Sequence, residues 1–557
     1  MTVFSATRRS GIAALLTLAF TACGSDNPSE PSLVAPTNVQ ATAAGGAVTV
    51  TWSAVAGADA YLVQRATGTT GGTFVQIGDA VSGTTLIDNS VVVDQAYRYR
   101  VAARLGAQTG PFSTDVTVGA RQAVVEGNLT ASRRLFSDTL YILKGFVKVA
   151  DGATLTIDPG TKIVGDTLTP GSALFVLRGG RIVANGTVQE PIVFTSARAD
   201  GNRAPGDWGG LIIVGNASTN RTGAIVEGSN ANVANGGPPG IDYTGGTVDD
   251  DSSGVLRYVR VEYAGFGVAQ DAELNSFTLA AVGSRTKLEY LQALLGLDDH
   301  FEWFGGTVDA KYLVSYESGD DHFDASEGYR GRNQFLIGLQ TFVPTPRPGT
   351  GQASSDPQGF EVDGCAGTGC ADGQNSVPFN MPVYANFTMI GPGPNVLPPG
   401  GGVGMVLRRG TGGTYVNGVV GRYPMGLSVR DANTDARRQA DSLTLSHILF
   451  ANNTVDLDPS TTNFTQPANF TGANFEFVTT PAHQLFAQLP PAGTLPSTAT
   501  LDWTPATGSI LASGGLDAFT GVIAARSGTF ITATSYRGAA DPNGAKWWSG
   551  WTIYDRN

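Results

Sequence analysis

Positive charge is in short supply in this sequence of 557 residues, where 35 lysines and arginines stand against 47 aspartates and glutamates, a formal net charge of −12. Neutralising a phosphate backbone takes a surplus of Lys and Arg, so the balance excludes a nucleic-acid partner. Cysteine occurs only three times, as Cys23, Cys365 and Cys370. Long apolar runs are missing too: after Phe20 nothing approaches the ~20 residues of a membrane-spanning helix. The Gly-x-Ser-x-Gly elbow of esterases, the phosphate-cradling P-loop and the His-Glu-x-x-His zinc helix are all absent. The paired glycines at Gly209-Gly210, Gly305-Gly306 and Gly401-Gly402 lack the strand–helix setting of a dinucleotide site.

Glycine is what the chain has in excess, with 74 residues and no strict three-residue period, while hydrophobic residues still make up 41%. That combination argues against collagen and against a wholly disordered chain. The length is too great for one compact core and suggests about two to four domains.

Arg8 and Arg9 precede an apolar stretch from Ile12 to Phe20 that ends in small residues, the layout of a secretory signal. Its last four residues, Phe20-Thr21-Ala22-Cys23, resemble the bacterial lipobox, with Phe20 where Leu is usual. The resemblance implies cleavage after residue 22, lipidation of Cys23, and anchoring by acyl chains in place of a helix. Gly24 instead of Asp after the cysteine implies release to the outer membrane, on its periplasmic or cell-surface face. A plain signal peptide with an incidental cysteine is the alternative. Loss of residues 1–22 removes Arg8 and Arg9 and moves the formal charge from −12 to −14, which holds the body off an anionic membrane surface. With Cys23 committed to lipid, Cys365 and Cys370 in GCAGTGCADG are expected to pair as a disulfide in an oxidising compartment. A soft-metal site is the rival, but two thiolates with no nearby histidine supply too few ligands.

Residues 24–35 read as a short tether of small, polar and proline residues. AVTVTWSAV, AYLVQRAT, FVQIGDA, AYRYRVAARL and FSTDVTVG then alternate as short strands at the spacing of a small β-sandwich. Through PTNVQATAAGGAVTVTWSAVAGADAYLVQR and YRYRVAAR, segment 36–119 resembles a fibronectin type III domain, which implies that Tyr97 packs a corner of the sandwich. Trp52, Tyr61, Tyr97 and Tyr99 read as core residues, and the domain as a spacer.

From residue 124 the pattern changes to strands of four to seven residues separated by Gly, Asn and Asp, the mark of a solenoid. LDDHFEWFGG at 297–306 and GDDHFDASEG at 319–328 match at an offset of 22 residues. One turn of a right-handed parallel β-helix has about that length, so Asp298 is expected over Asp320, Asp299 over Asp321, His300 over His322, Phe301 over Phe323 and Glu302 over Asp324, with both phenylalanines inside. The fold class is therefore all-β: a fibronectin type III-like sandwich, then a right-handed, pectate-lyase-like parallel β-helix over 124–557 with long loops near 341–402. The Ala/Gly/Trp ending is expected to cap the last coil. LKGFVKVADGATLTIDPGTKIVGD, GDWGGLIIVGNA, LRYVRVEYAG, the stretch from FEWFGG to NQFLIG and WWSGWTIYDRN together resemble a group of β-helical surface lipoproteins that includes a spirochaete outer-membrane family. That resemblance implies a fold and a location and no established chemistry.

The densest polar set is Asp298, Asp299, His300, Glu302, Asp309, Asp320, Asp321, His322, Asp324 and Glu327. In the 22-residue register like charges lie ~5 Å apart, which demands compensation. Calcium on Asp298, Asp299, Asp320, Asp321 and Asp324 is one solution. Aspartates capping turns by accepting backbone N–H groups is another, and zinc held by His300 and His322 with adjacent carboxylates a third. By analogy with β-helical lyases and hydrolases, Asp298, Asp320 and Asp321 are candidate catalytic carboxylates, with Arg330 or Arg332 as the nearby cation. Trp208 and Trp303 are candidate sugar platforms or covers of a coil edge. The functional expectation is a non-enzymatic, membrane-anchored envelope lipoprotein that binds glycan, protein or envelope material. A calcium-dependent polysaccharide lyase or glycoside hydrolase is the alternative. Replacement Cys23→Ala should abolish incorporation of labelled palmitate and move the protein from the membrane to the soluble fraction; unchanged membrane association would contradict the anchor.

Overall fold

The 22-residue repeat closes on itself as anticipated. In a computed structural model, which describes residues 33–556 apart from 45–46, 93–94, 120, 231–239, 270–271, 395, 398–400 and 496–500, strand Phe301–Phe304 pairs in parallel with Phe323–Ser326, Phe301 against Phe323 and Glu302 against Asp324. The signal segment, Cys23 and most of the tether lie outside the described residues. Strand Lys287–Leu294 pairs in the same way with Asp309–Tyr316 and that strand with Arg332–Leu339. Twenty-six strands between Arg121 and Val478 join into one continuous, parallel-paired sheet that winds as a β-helix with three faces.

Inside the winding, side chains stack on their own kind. Phe277, Phe301, Phe323 and Phe360 form a column with ring centroids 4.9, 5.4 and 5.5 Å apart, all fully buried. Stacking of this kind adds to the apolar area removed from water at each coil. With the faces numbered by segments 309–311, 313–316 and 323–326 of one coil, the bend between the first and second is made by a single residue in the left-handed region: Tyr258, Tyr290, Tyr312 and Phe335 have φ of 49°, 57°, 64° and 65°. That conformation is costly for a bulky residue. Here it lets the four rings stack in a file at 4.4, 4.4 and 5.1 Å, which offsets the cost.

The winding continues through the region expected to be long loops. Strand Phe360–Asp363 rests on Phe323–Ser326, and Val383–Ile390 on Arg332–Leu339, so residues 341–402 are one coil carrying insertions. The C-terminal expectation is corrected as well. The Ala/Gly/Trp ending runs back along the second face, where Gln334 holds Thr532, Gln292 holds Ile553 and Arg260 holds the Trp551 carbonyl. These polar side chains on successive coils and the apolar row Leu294, Tyr316, Leu339 and Ile390 provide its track. Trp208 and Trp303 are fully buried and cannot serve as sugar platforms.

The N-terminal unit is a fibronectin type III-like sandwich. A sheet of Gln40–Ala44, Ala47–Thr51 and Thr85–Asp88 faces another built on the antiparallel pair Ala60–Thr67 and Tyr97–Leu105. Trp52 and Tyr61 pack at 5.4 Å, Tyr99 donates to Asp88 at 2.9 Å, and buried Tyr97 lies beneath the Arg65 guanidinium.

Phe323→Ala should lower the unfolding free energy of the β-helix by ~3–5 kcal/mol, whereas Phe477→Ala, at a half-exposed ring, should cost under ~1 kcal/mol. Chemical denaturation checks both, and equal costs would contradict the central role of the column.

Candidate functional site

The third face carries a file of carboxylates on its outer side. Because Phe301, Phe323 and Phe360 point inward, the next residue on each strand points outward, so Glu302, Asp324 and Glu361 stand in register on consecutive coils. A second ladder lies at the corner before these strands. Asp299 Oδ1 accepts from the Asp321 amide at 2.8 Å, Asp321 Oδ1 from the Gln358 amide at 2.6 Å, and Gln358 Oε1 from the Val403 amide at 2.6 Å. Each of these side chains caps the backbone of the coil above it. The second aspartate of each Asp-Asp-His-Phe motif therefore has a structural task, and one carboxylate oxygen remains beside it.

Together the ladders line a cleft of about 560 Å³ whose walls bear twelve carboxylates and three arginines. Insertions supply several of them: Glu227 from the segment before strand Gly254–Glu262, and Asp356 from the segment before strand Phe360–Asp363. Three carboxylate sets each bring oxygens within 4.8 Å of one another, namely Asp298, Asp299 and Asp320; Asp299, Glu302 and Asp324; and Asp321, Asp324 and Glu361. Asp299, Glu302 and Asp321 are buried, while Asp298, Asp320 and Asp324 are half-buried.

Crowding of like charge away from water raises the energy of the ionised form. Burial first, and a neighbouring carboxylate second, push the carboxyls of Asp298, Asp299, Glu302, Asp321 and Asp324 well above the usual range. Asp320 and Glu361, also raised chiefly by burial, reach about 7. The arginines relieve the file only in part. Arg408 donates to Glu361 and to Asp363, the latter at 2.8 Å, and its charge also favours ionised Asp324, whereas Arg409 donates to Asp363 at 2.5 Å and Arg221 to Glu327 at 2.5 Å. Asp324 Oδ1 is buried with no hydrogen-bond partner among the described residues, which burial penalises unless a cation or proton supplies one.

Several sequence expectations are corrected. Arg330 is bound to Asp249 and Ser218, and Arg332 to Asp309, so neither faces the cleft and Asp309 leaves the acidic set. His300 and His322 point inside the coil. The Gly296 amide donates to His300 Nε2 at 2.9 Å, and Ser315 Oγ joins the two Nδ1 atoms at 2.7 and 2.5 Å. Burial lowers both imidazole pKa values, that of His322 to about 3. With both His300 nitrogens and His322 Nδ1 engaged inside the coil, the pair does not supply the expected zinc site. Cys365 and Cys370 are joined in a disulfide. Glu361 escaped the sequence reading although Phe-Glu, Phe-Asp and Phe-Glu at 301, 323 and 360 repeat the motif; a longer insertion stretches the last interval to 37 residues. Arg221, Glu227 and Glu273 carry no local signal, being brought in by folding alone.

These features define a parallel β-helix protein with a polyacidic cleft suited to hard cations on one face. The chain belongs to the pectate-lyase-like beta helix domain family, whose model matches residues 127–486. No curated protein matches the sequence. Among solved structures, pectate lyase PelI from Erwinia chrysanthemi in complex with tetragalacturonic acid is similar at 9% identity over 72% of this chain and 86% of that chain, with a TM-score of 0.14. An Fn3-like protein from Clostridium thermocellum is similar at 28% identity over 16% of this chain and 92% of that chain, with a TM-score of 0.15.

A folded state with raised carboxyl pKa values binds more protons than the unfolded one between the ordinary carboxylate range near ~4 and the raised values, so its stability falls as pH rises through that window. The depressed imidazoles act oppositely, removing stability as pH falls below ~6.5. Seven raised carboxyls in the cleft outweigh two imidazoles. Chelator-treated protein should therefore melt at a lower temperature at pH 8 than at pH 5.5 by calorimetry; a higher melting temperature at pH 8 would contradict this electrostatic account.

Proposed function

We propose that the chain is a lipid-anchored protein of the bacterial outer membrane whose acidic cleft holds hard divalent cations, calcium foremost, and through them binds a glycan without turning it over. The observation that carries this reading is the excess of twelve carboxylates over three arginines in one cleft, each arginine already committed to an ion pair. Calcium tolerates irregular sets of carboxylate oxygens, and Asp298, Asp299, Glu302, Asp320, Asp321, Asp324 and Glu361 supply them. When bound, the cation offers positive charge and open coordination positions to sugar oxygens.

A binding role is preferred to a lyase with an arginine base because Arg221, Arg408 and Arg409 are each held in an ion pair, which makes a guanidinium a still weaker proton acceptor. The export layout around Arg8, Arg9 and Cys23 supports the anchor, as does the likeness to β-helical surface lipoproteins.

Protein lacking residues 1–23 should gain ~2.7 kcal/mol of stability from calcium at 100 times its Kd, with affinity at least tenfold weaker in Asp324→Asn. Uronate polymers and neutral glycans should be retained only with calcium, and neither unsaturated nor reducing ends should appear. No calcium shift would overturn the cation reading; sustained product release lost in Asp320→Ala would establish an enzyme instead.

A further inference from the structure

Two segments remote in sequence meet at one rim of the cleft. After strand Phe360–Asp363, the disulfide between Cys365 and Cys370 closes a small loop. The insertion that follows strand Gly210–Val214 lays Arg221 and Thr222 beside it, with an isolated antiparallel bridge between Arg221 and Cys370. The Thr222 amide donates to the Gly369 carbonyl at 3.1 Å. Gly369 has φ of 93°, and a Cβ there would come within 2.3 Å of the Thr222 carbonyl oxygen, so only glycine permits this approach.

Arg221 spans the junction. Its Nε donates to the Thr368 carbonyl at 2.8 Å, inside the disulfide loop, and its Nη1 donates to Glu327 Oε1 at 2.5 Å. The other oxygen of Glu327 accepts from the buried Tyr243 hydroxyl. Both oxygens of Glu327 are thus engaged, while Asp324, three residues earlier, keeps a buried oxygen without a partner among the described residues. The loop is what aims the guanidinium: without the Thr368 carbonyl, Arg221 keeps one anchor and its long side chain regains rotamer freedom.

We infer that the Cys365–Cys370 loop is a positioning device that holds Arg221 as a fixed counter-charge on Glu327, restricting the cleft's cation capacity and affinity. This rests on the cation reading of the cleft and deepens it. A guanidinium on the rim repels a divalent cation directly and withholds Glu327 from it. At an effective dielectric constant between water and protein interior, one charge ~8 Å from a divalent ion changes affinity by roughly 5- to 30-fold. The arginine therefore sets the affinity, and the disulfide sets the arginine.

The test is a calorimetric titration of calcium into the oxidised protein, Arg221→Gln, Arg221→Lys, the Cys365→Ser/Cys370→Ser pair, and that pair combined with Arg221→Gln. Arg221→Gln should bind calcium 5- to 30-fold more tightly at low salt, and Arg221→Lys, which keeps the charge, should stay within about threefold of the parent. The serine pair should tighten binding in the Arg221 background and change nothing further in Arg221→Gln, a non-additivity that mere loosening of the fold would not produce. Thermal unfolding of each variant confirms folding. Calcium binding unaltered by Arg221→Gln, or equal effects of the serine pair in both backgrounds, would overturn this inference alone. Absence of binding in all five proteins would overturn it together with the cation reading.

Discussion

Coil-to-coil register governs this molecule. Parallel strands ~4.8 Å apart leave each residue directly above its counterpart in the preceding turn. For Phe277, Phe301, Phe323 and Phe360 this is favourable, because rings stack and exclude water. For Glu302, Asp324 and Glu361, one residue further along the same strands, it imposes repulsion. The interior column and the acidic file are the two sides of one pairing, so the fold's most stabilising feature and its most costly one cannot be separated by shifting the strands: a one-residue slip would bury the acids and expose the rings.

The insertions turn that strained file into a cleft. The segment after strand Gly210–Val214 brings Glu227 over it and the segment before strand Phe360–Asp363 brings Ser354 and Asp356, while Arg221, Arg408 and Arg409 are each held by carboxylate partners. Charge compensation is thus concentrated at the edge: Arg408 pairs with Glu361 and favours ionised Asp324 from there, yet one Asp324 oxygen is buried with no hydrogen-bond partner among the described residues. The C-terminal segment has the complementary role on the second face, where Trp548, Trp551 and Tyr554 cover apolar rows from several coils.

Much of this was legible wherever the repeat was intact. The offset of 22 residues between the two Asp-Asp-His-Phe motifs gave the stacking partners of Asp298 to Glu302, and the fibronectin type III-like segment followed from alternating strands. Legibility ended where the interval lengthened: Glu361 continues the file, but 37 residues separate Phe323 from Phe360. Direction was also hidden. Adjacent residues in a strand point to opposite sides, yet His300 and His322 sit at a corner, where the alternation breaks, and turn inward to Ser315. Arg330 and Arg332 lie near the aspartates in sequence but meet Asp249 and Asp309 on other parts of the coil. The arginines that do reach the cleft come from 221, 408 and 409, distances in sequence that only the winding brings together.

The most direct measurement is long-wavelength anomalous diffraction from crystals grown with calcium at neutral pH. The account predicts a calcium peak within coordination distance of Asp324 and of oxygens from at least one of its stacked neighbours, Glu302 or Glu361. A cleft with no anomalous peak, and with Asp324 satisfied by a protein donor, would contradict it.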